Sequence, residues 1–169
     1  MRFLILFIFL ITKAHGVDVS EIKNIVIHKD PKTHNNVIFL DKKDKKISMK
    51  NFNGNLILLN FWATWCEPCI EEMPSLDKLQ ANPDLDRLKI FAINVGKESK
   101  KNVDNFFLNL NIKNFEPYYD PPSTLAKTFS LRGIPTSILL NKNGKEFARI
   151  IGSIDFNDKK FINWLKTYN

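Results

Sequence analysis

Leu56-Ile57-Leu58-Leu59-Asn60-Phe61-Trp62-Ala63-Thr64-Trp65-Cys66-Glu67-Pro68-Cys69 is the stretch on which the fold turns. Its first seven residues are nearly all apolar, the composition of a central strand buried on both faces. From Glu67 to Gln80 the pattern becomes helical, with Ile70, Met73, Leu76 and Leu79 at three-residue steps and Pro74 expected to bend the helix. Both cysteines of the chain therefore sit where a buried strand gives way to a helix. Free backbone N–H groups and the macrodipole at a helix start favour negative charge, which makes Cys66 the natural nucleophile. Pro68 is tolerated in the first turn because its missing N–H would lack a partner anyway. Cys69 falls one turn along on the same side, within reach of a mixed disulfide on Cys66, and so has the place of a resolving thiol.

On either side of this stretch the chain alternates between strand and helix patterns. Val37 to Leu40 and Lys46 to Ser48 flank a charged turn and read as a hairpin, and Asn53-Gly54 supplies the next turn. Leu88 to Val95 is a second buried strand. Val103, Phe106, Phe107 and Leu110 mark an amphipathic helix. Tyr118-Tyr119 forms a short strand, Thr124 to Phe129 a short helix, and Thr136 to Leu140 with Glu146 to Ile151 a hairpin around Asn143-Gly144. The chain ends in a helix with Asp155 as its expected cap and Phe161, Trp164, Leu165 and Tyr168 at helical spacing. These elements predict one α/β domain, residues 37–169, with a mixed sheet. Phe106, Phe107, Phe161 and Trp164 are expected to be core.

The 169 residues, 44% of them apolar, suffice for one sizeable core. Met1-Arg2, the apolar run Phe3 to Ile11, and small residues at Ala14 and Gly16 have the three parts of an export signal over residues 1–16, with cleavage expected after Gly16. The run is too short to span a bilayer comfortably, although an uncleaved anchor is the alternative. Residues 17–36 read as an irregular lead-in. The net charge of +7 is dispersed with no block of like charges, which argues against nucleic-acid binding. Export implies an oxidising compartment, where two cysteines usually form a structural bridge. A bridge between residues three apart closes too short a loop to stabilise much, so redox chemistry is the better reading. Zinc would need further ligands, and the three histidines, His15, His28 and His34, all precede the predicted core.

Trp62-Ala63-Thr64-Trp65-Cys66-Glu67-Pro68-Cys69 together with Gly133-Ile134-Pro135-Thr136 resembles the thioredoxin superfamily. Asn60-Phe61-Trp62, Glu72-Met73-Pro74 and the export signal resemble its TlpA/ResA/DsbE group of membrane-tethered or periplasmic thiol reductases. The resemblance covers about Val37 to Tyr168. It implies a thioredoxin fold, a central mixed sheet flanked by helices, with an N-terminal hairpin and a helix-strand insertion between Val95 and Ser123. It also implies a cis bond before Pro135, facing the cysteines, and backbone at Ile134 that pairs with a bound substrate strand. Trp65, Glu67, Pro68, Ile134 and Pro135 are the substrate-contacting residues so implied, and Gly152 matches a backbone-packing glycine.

Two departures from the pattern matter. Thioredoxin carries a buried aspartate where this chain has Asn60, and asparagine cannot take a proton from Cys69; in the TlpA/ResA group a glutamate matching Glu72 lies near the disulfide, so Glu72 is the expected acid-base group. Haem-pathway members of the DsbE type have an acidic residue where Thr136 stands, which weakens an apocytochrome c substrate. The Glu67 carboxylate beside Cys66 opposes thiolate formation and so favours a reductant over an oxidant. The expected activity is reduction of disulfides in exported proteins, such as copper-site proteins of cytochrome oxidase assembly or apocytochromes c. No cofactor is expected beyond the Cys66–Cys69 disulfide and no metal. The electron source would be a membrane thiol donor of the DsbD/CcdA kind, and the protein a monomer. The other readings are a metal carrier or binding module on the same fold, and a peroxiredoxin, whose Pro-x-x-x-Thr-x-x-Cys context is missing. Copper chaperones of this fold would need a histidine downstream, and none follows His34.

Overall fold

The computed structural model describes residues 22–121 and 123–169; the expected export signal and the first part of the lead-in lie outside them. Eight strands form one sheet in the order β1-β8-β7-β4-β5-β6-β2-β3. They are β1 (Ile25–Lys32), β2 (Ile38–Leu40), β3 (Lys46–Ser48), β4 (Leu56–Trp62), β5 (Leu88–Asn94), β6 (Pro117–Tyr119), β7 (Thr136–Leu140) and β8 (Glu146–Ile151). The helices are α1 (Glu67–Gln80), α2 (Lys100–Asn109), α3 (Thr124–Thr128) and α4 (Lys159–Lys166). β4 lies between β5, which runs parallel to it, and β7, which runs antiparallel.

The apolar run of β4 is buried throughout because both of its faces are covered. Leu56, Leu58 and Trp62 face the core built by α1, α2 and α4, where Met73, Leu76, Val103, Phe107, Phe161 and Trp164 pack. Ile57, Leu59 and Phe61 face the opposite core, closed by Leu125 and Phe129 of the α3 segment and by Met49. Phe106 is half-buried and stacks on Trp62, with ring centroids 4.8 Å apart. α2 and β6 form the expected insertion, and β6 adds a parallel strand beside β5.

Two expectations are corrected. The lead-in is not irregular: Ile25–Lys32 is a strand at the sheet edge, antiparallel to β8, so the folded unit starts before residue 37. Its polar composition hid it, since most of its side chains are exposed and its only ladder is with β8, far along the chain. The last helix is capped by Asp158, whose Oδ1 accepts from the Lys160 and Phe161 amides, while Asp155 closes the preceding turn. Both aspartates are fit to cap, and only the register of the buried face selects between them.

A buried carboxylate fastens the edge strand. Glu146 Oε1 accepts from Arg149 Nε at 2.7 Å and meets His28 Nε2 at 2.8 Å, while Oε2 meets His34 Nε2 at 2.6 Å. Burial pushes the Glu146 carboxyl up, but the Arg149, His28 and His34 contacts together outweigh it and bring it to about 2. A carboxyl depressed on folding stabilises the fold fully above its ordinary value of 4.5, and that contribution is lost as pH falls toward 2. Glu146→Gln is expected to lower unfolding free energy by about 3 kcal/mol at neutral pH, since it strips a buried network of its charge. Denaturant titrations at pH 6 and pH 3 should show that penalty shrinking at the lower pH.

Candidate active site

The parallel β4 ends at Trp62 and Ala63 to Trp65 turn the chain into α1. Cys66 is the N-cap of that helix, and its carbonyl accepts from the Cys69 and Ile70 amides at 2.9 and 3.0 Å. Cys66 and Cys69 are joined in a disulfide. Cys66 keeps 5% exposure and Cys69 none, so Cys66 is the more accessible of the two. Pro68 occupies the first turn, where no intrahelical hydrogen bond is lost. Trp65 is 69% exposed, and Glu67 and Pro68 are also exposed, forming a surface around the Cys66 edge of the disulfide.

β7 brings the second half of the motif. It runs antiparallel to β4 with Thr136 opposite Phe61, so Pro135 lies at the sheet end where β4 delivers the cysteines. The Ile134–Pro135 bond is cis. Pro135 is buried and Ile134 half-buried against both cores. Thr136 Oγ1 donates to the Gly133 carbonyl at 2.8 Å and so ties the loop to its own strand. Gly152 donates its N–H to the Pro135 carbonyl at 2.9 Å from a backbone φ of +92°, a conformation that a side chain would strain.

Behind the disulfide, on the α1 face of the sheet, polar groups interrupt an apolar core. Glu72 follows Cys69 by one turn on α1 and is buried. Asn60 of β4 sits opposite Ser137 of β7, and its Nδ2 donates to Glu72 Oε1 at 2.7 Å and to Ser137 Oγ at 3.0 Å. Burial pushes the Glu72 carboxyl up to about 8, against the pull of the Asn60 amide and the weaker pull of the Ile154 backbone amide. The neutral acid is therefore its resting form at neutral pH. Glu72 also borders an open cleft of about 300 Å³ lined by Glu71, Ser75, Ser153, Ile154 and Asp155.

Cys66, Cys69, Glu72 and Pro135 thus lie at one end of the sheet, joined by Asn60 of the quoted motif and by two groups, Ser137 and Glu98, that the sequence motifs do not mark. Asn60, more than a lost aspartate, orients Glu72; Ser137 completes that shelf; and Glu98 braces the cysteine loop. Glu98 Oε1 accepts from Thr64 N at 2.8 Å and from Thr64 Oγ1 at 2.7 Å, across 34 residues of sequence. A polar residue inside an otherwise apolar strand is the available signal for Asn60; nothing local marks Glu98. Among the described residues, no group of three or more His, Cys, Asp or Glu side chains is placed to hold a metal ion.

The AhpC/TSA family model matches residues 29–145. The thiol-disulfide oxidoreductase ResA of Bacillus cereus is 35% identical over a stretch covering 69% of this chain and 66% of that protein. The chain thus spans about two thirds of the length of the curated relatives it matches. StoA from Bacillus subtilis, a solved structure, aligns with a TM-score of 0.62 and 26% identity over 78% of this chain and 93% of that one. A thiol:disulfide interchange protein described as DsbE, from Chlorobium tepidum, aligns with a TM-score of 0.68 over 80% of this chain and 98% of its own, at 21% identity, a likeness of fold.

Proposed function

Because this chain belongs to the AhpC/TSA family and has the thioredoxin fold, we propose that it is a thiol-disulfide oxidoreductase acting as a reductase of disulfides in other exported proteins. The observation that carries the reading is the disulfide between Cys66, which caps a helix N-terminus and keeps a small exposed edge, and a fully buried Cys69. In the reduced protein the Cys66 thiolate attacks a substrate disulfide, one S–S bond breaks as another forms, and one substrate sulfur leaves as a thiolate. Cys69 then attacks Cys66 Sγ, regenerating the internal disulfide and releasing the second substrate thiolate. The substrate gains two electrons and the protein loses two. Glu72 is the group that exchanges a proton with Cys69, and Asn60 orients it.

The direction follows from charge. The Glu67 carboxylate next to Cys66 opposes a thiolate there, so the dithiol form is a ready electron donor. Trp65, Glu67 and Pro68 on one side and Ile134 and Pro135 on the other form the walls a substrate strand meets. A reductant outside the cytoplasm needs recharging, which calls for a membrane thiol donor of the DsbD/CcdA kind. Copper-site proteins of cytochrome oxidase assembly fit as substrates better than apocytochromes c, because Thr136 is engaged with Gly133 and adds no acid beside Pro135. The described residues include no helix long and apolar enough to cross a membrane. The peroxiredoxin alternative finds Leu59 and Ala63 where its motif places proline and threonine.

Reduced protein is expected to catalyse insulin reduction and, at equilibrium with glutathione, to lie among the reducing thiol pairs, below about −200 mV. A potential near about −120 mV would make it an oxidase and reverse the proposed direction.

A further inference from the structure

At the sheet end that presents Pro135, but on the face covered by α3, lies an open pocket of about 220 Å³. Strand register builds its floor: Thr136 of β7 stands opposite Phe61 of β4 on one side and Ile151 of β8 on the other, so the three side chains share that face. Ile134 packs on both cores and so stands at the boundary between this face and the α1 face, whose core holds the cysteines. The pocket and the exchange site are therefore neighbours around one short loop, Arg132 to Pro135.

Ser130, Leu131, Arg132 and Arg149 complete the lining, so two arginines and no acidic residue border the pocket. Arg149 is held from behind: its Nε donates to Glu146 at 2.7 Å and its Nη1 to the Phe129 carbonyl at 3.2 Å, and the buried Glu146 carboxylate offsets its charge. Arg132 is exposed, and among the described residues neither its guanidinium nor its backbone N–H has a partner. It is the uncompensated charge of the pocket. The Thr136 hydroxyl donates to the Gly133 carbonyl, which leaves the exposed Ser130 to offer the free hydroxyl. Leu131 and Ile151, the latter 50% exposed, supply an apolar wall. Approach over the loop is open, since a Cβ at Gly133 would meet no atom within 4 Å.

The side chain that suits this lining has a short apolar stem and an anionic end. Its stem lies on Leu131 and Ile151, and its carboxylate meets the Arg132 guanidinium, whose planar fork matches it. A cationic side chain would face two arginines, and an aliphatic one would leave the Arg132 charge unmet. We propose that this pocket is a subsite for a glutamate or aspartate side chain of the polypeptide substrate, two or three residues from the cysteine under exchange. An extended chain advances about 3.3 Å per residue, so a strand laid along Ile134 with its cysteine at Cys66 reaches Arg132 within that distance. The proposal rests on the disulfide-reductase reading above and names a feature of its substrates. Glu67 and Glu71, both exposed on α1, make the opposite rim acidic, so the two sides of the exchange site favour opposite charges.

Two disulfide-linked peptide dimers test this, identical except for glutamate or glutamine at the second and third residues from each cysteine. For the wild type, kcat/KM should be about fivefold higher for the glutamate peptide, mostly through KM. Arg132→Gln should bring that ratio to about one, and Arg132→Lys should keep part of it. Neither variant loses an internal hydrogen bond, so neither is expected to lower the melting temperature. A wild-type ratio of one, or a raised ratio that survives in Arg132→Gln, overturns the proposal. So does an equal preference with the glutamates moved about seven residues from the cysteine, which would be long-range attraction without docking. A second measurement does not depend on turnover: the glutamate peptide with its cysteine capped by iodoacetamide, added to the oxidised protein, should shift the Arg132 Nε resonance saturably, and the glutamine peptide should not. If the wild type reduces neither peptide yet this shift occurs, the reductase reading fails and the acidic subsite stands. If reduction proceeds with a ratio of one and no shift occurs, the reverse holds.

Discussion

Cys69→Ala is expected to lock the protein onto its substrate, and Cys66→Ala to leave it inert. With Cys69 gone, attack by Cys66 still forms the mixed disulfide, but no second thiol remains to displace the substrate. Incubation with insulin or a periplasmic extract should therefore yield covalent adducts on a non-reducing gel that dithiothreitol releases. Cys66→Ala should form none, because Cys69, in the first turn of α1, has no exposed surface. Insulin reduction should fall at least about a thousandfold in either variant, since the two thiols act as one unit and removing either removes the cycle. Adducts formed through Cys69 in the Cys66→Ala protein would reverse the assignment of roles. A wild-type level of turnover in Cys69→Ala would show that substrate thiols resolve the intermediate and that Cys69 is dispensable.

How much of this is readable from the sequence depends on whether the information is local. β4 and α1 fall on the residues expected, Leu56–Trp62 and Glu67–Gln80, because an apolar run followed by an amphipathic helix is specified within its own window. The hairpin β7–β8 and the position of Pro135 are likewise marked by turn residues and by motif. β1 is not: an exposed edge strand needs no apolar alternation, and what holds it is its ladder with β8 and the bond of His28 to Glu146, contacts between residues distant in sequence. The same distinction runs through the site. Cys66, Cys69 and Glu72 lie within one helical stretch and can be placed by counting residues. Asn60 and Ser137 become partners only through the register of β4 against β7, and Glu98 reaches Thr64 only because the loop after β5 lies beside the loop after β4. Chemistry carried by a short motif is legible; the groups that orient it are set by strand pairing.

Glu72→Gln should change both stability and turnover in a pH-dependent way. The folded protein holds the Glu72 proton up to about pH 8, whereas an unfolded chain releases it near 4.5. Between those values the folded state binds the extra proton, so stability falls as pH rises through the window. At about 1.4 kcal/mol per unit the loss is on the order of 3–5 kcal/mol by pH 9, less whatever solvent enters through the adjoining cleft. Glutamine keeps an oxygen for Asn60 Nδ2 and never ionises. Wild type and variant should therefore unfold at similar denaturant concentrations at pH 5 and diverge by pH 9, the variant being the more stable. In turnover the sign reverses. Resolution by Cys69 requires its thiol to lose a proton inside an apolar core, and Glu72, one helical turn away with a carboxyl close to neutrality, is the acceptor suited to that step. Glu72→Gln should slow release of the Cys66 mixed disulfide about a hundredfold at pH 8 while leaving its formation largely intact, and should erase the rise in the release rate with pH centred near 8. A variant that gains the alkaline stability but keeps the wild-type release profile would leave Glu72 as a buried acid tolerated for another reason, and would pass the proton from Cys69 directly to solvent.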